Sequence, residues 1–88
     1  MQQAQLIFKV IPKYPEIARV ARLAGDVELQ ALIGRDGYVI SVQVLSGAVL
    51  LSGAAKEAVE QWRYHPTILD GQAVEVETHV TVHFVLNE

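Results

Sequence analysis

The chain has 88 residues, of which 51% are apolar and none is cysteine. A domain of this size buries roughly 60 to 65% of its unfolded surface, which supports one hydrophobic core and leaves no room for a second domain or a deep catalytic cleft. Seven Lys and Arg against ten Asp and Glu give a net charge of -3. Cations spread along an acidic chain argue against a nucleic-acid or anionic-membrane surface, since those are bound by clustered cations that release counterions. Without thiols there is neither a disulfide nor a thiolate zinc site, so stability must come from packing.

In chain order, Leu6 to Ile11 is a short apolar segment closed by Pro12. Pro12-Lys13-Tyr14-Pro15 is extended, because both residues that precede a proline are driven out of the helical region. Pro15 suits the first turn of a helix, and Ile17, Val20, Ala21 and Ala24 recur at helical spacing, which predicts a buried stripe ended by Gly25. Arg19 and Arg22 fall on the opposite face, where they serve solubility. From Asp26 the period becomes two: Val27, Leu29, Ala31 and Ile33 take one face and Asp26, Glu28 and Gln30 the other, a half-buried strand. Gly34-Arg35-Asp36-Gly37 is turn chemistry, and Tyr38 to Leu45 is the returning strand.

Gly37 to Ala55 is an uncharged stretch of 19 residues, long enough to span a bilayer as a helix. Its two-residue alternation, with Tyr38, Ile40, Val42 and Val44 on one face, and the breaks at Ser46-Gly47 and Ser52-Gly53 argue instead for a strand followed by a turn. Met1 leads into polar Gln2, Gln3 and Gln5, without the cationic start and apolar run of a signal peptide. Leu51, Ala55, Ala58, Val59 and Trp62 then form the apolar stripe of a second helix, with Lys56, Glu57, Glu60 and Gln61 facing water, and Pro66 forbids its continuation. Asp70-Gly71 marks a further turn. Behind it, Val74, Val76, Thr78, Val80, Val82, Phe84 and Leu86 alternate with Glu75, Glu77, His79, Thr81, His83 and Val85, which predicts a long strand with its even positions toward the core. Three strands and two amphipathic helices imply an α+β fold in two layers, with both helices packed on one face of a three-stranded antiparallel sheet.

Candidate chemistry is sparse. His79 and His83 share a strand, so their Cα atoms lie roughly 14 Å apart, too far to share one ion. His65 is a lone loop histidine. Glu75 and Glu77 have no nucleophile or pocket beside them, and no nucleophile elbow, phosphate loop or dinucleotide fingerprint is present. The exposed strand positions are Glu-rich and lack the paired aromatics of an RNA-binding sheet. The expectation is therefore a protein that is not an enzyme, needs no cofactor or metal and binds no nucleic acid. What remains is the sheet edge: from Val80 to Leu86 no side chain is acidic or basic, so this half of the last strand is open to pairing with another chain.

Tyr14-Pro15, Gly25, Asp36-Gly37, Ser46-Gly47, Ala54-Ala55, Ala58, Trp62-Arg63-Tyr64-x-Pro66, Gly71 and the terminal strand together resemble the C-terminal domain of the TonB energy-transducer family. The resemblance covers Pro12 to Leu86. It divides the chain into a flanking segment over residues 1–11, long enough for a short extra strand, and a TonB C-terminal-like domain over residues 12–88. It implies a periplasmic domain that adds the TonB box of an outer-membrane receptor as a strand on its last-strand edge and couples the proton-motive force to uptake. Carried over residue by residue, the partner-binding positions are Lys13, Tyr14 and Pro15 together with His79, Val80, Thr81, Val82, His83, Phe84 and Val85. The family often carries polar, Gln-containing residues just before Tyr-Pro, where this chain has Val10, Ile11 and Lys13. The resemblance also implies an inner-membrane anchor and a proton-channel complex reached through an N-terminal part outside this sequence. Two alternatives stand beside it: a TonB-like interaction or sensor module fused to a different protein, and a homodimer that satisfies the same edge by strand pairing or exchange.

Overall fold

The computed structural model describes residues 5–86. Its strands are β1 (Leu6–Phe8), β2 (Gly25–Ile33), β3 (Val39–Ser46), β4 (Arg63–Tyr64), β5 (Thr67–Leu69), β6 (Gln72–Val74) and β7 (Val76–Phe84), and its helices are α1 (Glu16–Val20) and α2 (Val49–Val59). The main sheet has three antiparallel strands in the order β3-β2-β7, the α+β architecture expected from the periodicity. Two small antiparallel pairs, β1-β4 and β5-β6, stand beside it. Among the described residues no helix is long and apolar enough to cross a membrane.

The core follows the alternation of β2. Val27, Leu29, Ala31 and Ile33 are buried, in one cluster with Val80, Val82 and Phe84 of β7 and Leu51, Ala55 and Val59 of α2. Trp62 closes this cluster at 5% exposure. The Trp62 backbone N–H bonds to the Val59 carbonyl at 3.0 Å, so a tight turn after α2 carries the indole into the core.

Strand β3 departs from simple alternation. Ala31 faces Val42 and Leu29 faces Val44, yet Ile33 faces Val39 and Glu28 faces Ser46. One extra residue is accommodated at each end, Ile40 and Leu45, and both are exposed. A bulge shifts the face of every residue beyond it. Val39, not Ile40, therefore packs against the core.

The first helix is shorter than its apolar spacing predicts, and it buries a different residue. Ala18 is fully buried, whereas Ile17 and Val20 are 63% and 78% exposed, and Ala21 and Ala24 are exposed beyond the helix. The cause is the C-terminus. Arg22 takes a left-handed φ of 55°, its N–H bonds to the Arg19 carbonyl at 3.0 Å, and the Leu23 N–H bonds to the Ala18 carbonyl at 2.8 Å. This is a Schellman stop, with Leu23 packed on the core as its hydrophobic contact. Gly25 opens β2 instead of closing the helix.

The last strand is also divided. Val74 pairs with Thr67 in the β5-β6 hairpin, and the continuous strand begins at Val76. Asp70 and Gly71 close that hairpin at φ values of 51° and 78°, the positive φ a two-residue hairpin loop demands.

Candidate peptide-docking edge

Strand β7 is paired along one side only. Its partner β2 takes it from Val76 against Ile33 to Phe84 against Gly25, and among the described residues no strand pairs with its other side. The side chains divide by parity. Val80, Val82 and Phe84 are buried in the core, so a partner would reach them through the main chain alone. His79, Thr81 and His83 stand on the outer face, and Val85 is exposed beyond the strand end.

The outer face is polar and cross-linked to β2. His83 Nδ1 lies 2.7 Å from Asp26 Oδ1, and the Thr81 hydroxyl donates to Glu28 Oε1 at 3.4 Å. His79 Nε2 lies 3.8 Å from the same Glu28 oxygen, and the Gln30 amide donates to Glu77. Both histidine–carboxylate pairs are solvent-exposed, which keeps their contribution to stability near 0 to about 1 kcal/mol each. Among the described residues no group of three His, Cys, Asp or Glu is placed to hold a metal ion.

Beside the edge runs the segment between β1 and α1. A groove of about 220 Å³ is lined on one side by Lys9, Ile11, Pro12 and Trp62 and on the other by Thr81, Val82 and His83 of β7. The segment is held in place by long-range contacts. The Trp62 indole N–H donates to the Val10 carbonyl at 2.9 Å, and Lys9 Nζ lies 5.5 Å from the centre of the Trp62 ring. At the other end the Tyr14 hydroxyl donates to the Leu23 carbonyl, and the Tyr14 ring meets Phe84 edge-on at 5.3 Å between centroids. Upstream, Leu6 and Phe8 pair with Tyr64 and Arg63, and the His65 N–H bonds to the Gln5 carbonyl at 2.8 Å.

The residues suggested by sequence thus fall into two sets. Tyr14 is brought against Phe84 at the end of the edge. Pro15 occupies the N-cap of α1 in an extended conformation. Lys13 stands elsewhere, lining a shallow depression of about 160 Å³ with Glu57 and Gln61 beside it. The sequence by itself does not assign Lys9, Ile11, Pro12 and Trp62 to a groove. Its one signal for the wall is the extended backbone that Pro12 imposes on Ile11.

Residues 11–86 match the family described as Gram-negative bacterial TonB protein C-terminal. The chain belongs to this family. The match begins at Ile11, in the wall of the groove, and ends two residues beyond β7. Among its relatives is Protein TonB of Vibrio cholerae, 38% identical over 80 residues, which cover 89% of this chain and 33% of that protein. Another is Protein TonB of Escherichia coli K12, 37% identical over 57 residues, which cover 62% of this chain and 24% of that protein. The solution NMR structure of the Pseudomonas aeruginosa TonB CTD superposes with a TM-score of 0.79 at 21% identity, covering 100% of this chain and 91% of that one, a likeness of fold. The chain spans a third or less of the length of the Vibrio and Escherichia relatives.

Proposed function

We propose that this TonB C-terminal domain is the receptor-docking end of a TonB-type energy transducer. In this reading an extended segment of an outer-membrane receptor, its TonB box, adds as a fourth strand to the free edge of β7. The observation that carries the reading is the unpaired β7 edge with a groove running between it and residues 9–12. Main-chain hydrogen bonds supply affinity in such strand addition, and the groove takes alternate side chains of the incoming strand. The domain acts in the periplasm as a mechanical coupling, not as a catalyst. Force generated by a proton-channel complex in the inner membrane arrives through the part of the protein that precedes β1. No metal or cofactor takes part.

The test is an amide-shift titration of the labelled domain with a synthetic TonB-box peptide from a receptor of the same bacterium. The largest changes are expected along residues 76–85 and 9–13. Changes confined to α2 or to the turn at residues 34–37, with β7 silent, would show that the peptide does not add to this edge. Concentration-dependent protection of the β7 amides without peptide would instead show a second copy of the chain on the edge.

A further inference from the structure

We propose that Trp62 is a positioning residue for docking: its indole N–H, bonded to the Val10 carbonyl at 2.9 Å, holds residues 9–12 in place as the wall of the groove beside β7. This deepens the strand-addition reading and rests on it. The segment is a strap fixed at both ends. At one end β1 pairs with β4 through Phe8 and Arg63; at the other the Tyr14 hydroxyl bonds to the Leu23 carbonyl and its ring packs on Phe84. Residues 9–13 lie between these anchors in neither helix nor strand. Along that stretch Ile11 is exposed, and Val10 packs against the core. Between the anchors, the bond from the Trp62 indole to Val10 ties the strap sideways to the body of the domain. Extended backbone before Pro12 stiffens the strap without fixing its distance from the sheet. The indole fixes that distance, because Trp62 is itself locked in the core at 5% exposure.

The consequence is a division of labour within one side chain. The ring supports the core, and the N–H keeps the groove open at a set width before any peptide arrives. A wall already in place spares the incoming strand the entropy of ordering it, which appears as slower dissociation. Removing the N–H while keeping the ring would therefore weaken docking in a fully folded domain.

Two variants separate these roles. Trp62→Phe removes the donor genetically. Total synthesis of the 88-residue chain with 3-benzothienylalanine at position 62 replaces the N–H by sulfur and leaves the ring shape intact, so it decides the matter if the phenylalanine variant is poorly folded. Each is compared with the wild-type chain for affinity toward the same TonB-box peptide, thermal midpoint and the amide 15N order parameters of Lys9, Val10, Ile11 and Lys13 in the free protein. The expected result is a preserved fold, lower order parameters along the strap and peptide binding weaker by about three- to tenfold, the range one hydrogen bond contributes. Unchanged order parameters and unchanged affinity in the benzothienyl chain would overturn the positioning role while leaving strand addition standing. If the wild-type chain itself fails to bind the peptide along β7, the docking reading falls. The strap order parameters then still report whether the indole pins the segment.

Discussion

Gly37 and Tyr64 are pressed backbone to backbone: a Cβ on Gly37 would lie 2.0 Å from the Tyr64 carbonyl oxygen, and the Tyr64 N–H bonds to the Gly37 carbonyl at 2.8 Å. This contact ties the β2-β3 turn to β4, and Tyr38 bridges to Arg63 beside it, with the Arg63 guanidinium 4.4 Å from the centre of the Tyr38 ring. Gly37 also has a φ of 87°. Gly71 has a similar φ of 78°, but a Cβ there would meet nothing within 4 Å. Gly71→Ala should therefore cost about 1 kcal/mol, the strain of a left-handed residue alone. Gly37→Ala adds a backbone clash and should cost more than about 3 kcal/mol, a large part of the stability of so small a domain. Denaturant midpoints of the two variants check this; equal losses would mean that the turn can move away from β4.

Trp62→Ala should destabilise the domain by about 3 to 5 kcal/mol, since it empties a core position and strands the Val10 carbonyl. Equilibrium denaturation measures it. A loss below about 1 kcal/mol would place the side chain outside the cooperative core.

The placement of α1 predicts an inverted sensitivity. Val20→Ser at an exposed apolar position should change stability by less than about 0.5 kcal/mol. Ala18→Leu, at a fully buried alanine, should overpack the core and cost about 1 to 3 kcal/mol. Thermal midpoints of the pair distinguish this from a helix that buries Val20.

Burial raises the Tyr64 phenol above its ordinary value. The unfolded chain loses that proton from about pH 10, while the folded chain still holds it. The stabilisation is therefore complete below about pH 10 and is lost as pH rises toward the folded value. Above about pH 10 the thermal midpoint of the wild-type chain should fall relative to that of Tyr64→Phe, which has no phenol to titrate. Parallel curves would show that the phenol is not desolvated.

His83 and Asp26 are close at 2.7 Å but their side chains are 66% and 58% exposed. His83→Ala should cost no more than about 1 kcal/mol, because solvent screens the pair and two side chains are freed when it is lost. Urea titration at neutral pH checks it, and a well-folded variant makes this outer-face position suitable for testing peptide contacts.

Much of the architecture was legible from local pattern. The alternation of Val27, Leu29, Ala31 and Ile33 named the buried face of β2, the spacing of Leu51, Ala55, Ala58, Val59 and Trp62 named the buried stripe after the first hairpin, and the even positions from Val80 to Phe84 named the inner face of β7. In each case one residue every two, or every three to four, must face the same neighbour, so the sequence carries that face along its whole length. Tertiary structure alone decided what has no period. The bulges at Ile40 and Leu45 depend on the register against β2. The end of α1 depends on Arg22 accepting a left-handed φ while Leu23 packs into the core. The groove depends on Trp62 reaching Val10, a contact between residues 52 apart in sequence. Such contacts are made by one donor and one carbonyl, and the backbone carbonyl is the same group at every residue, so nothing in the identity of Val10 announces the bond it accepts.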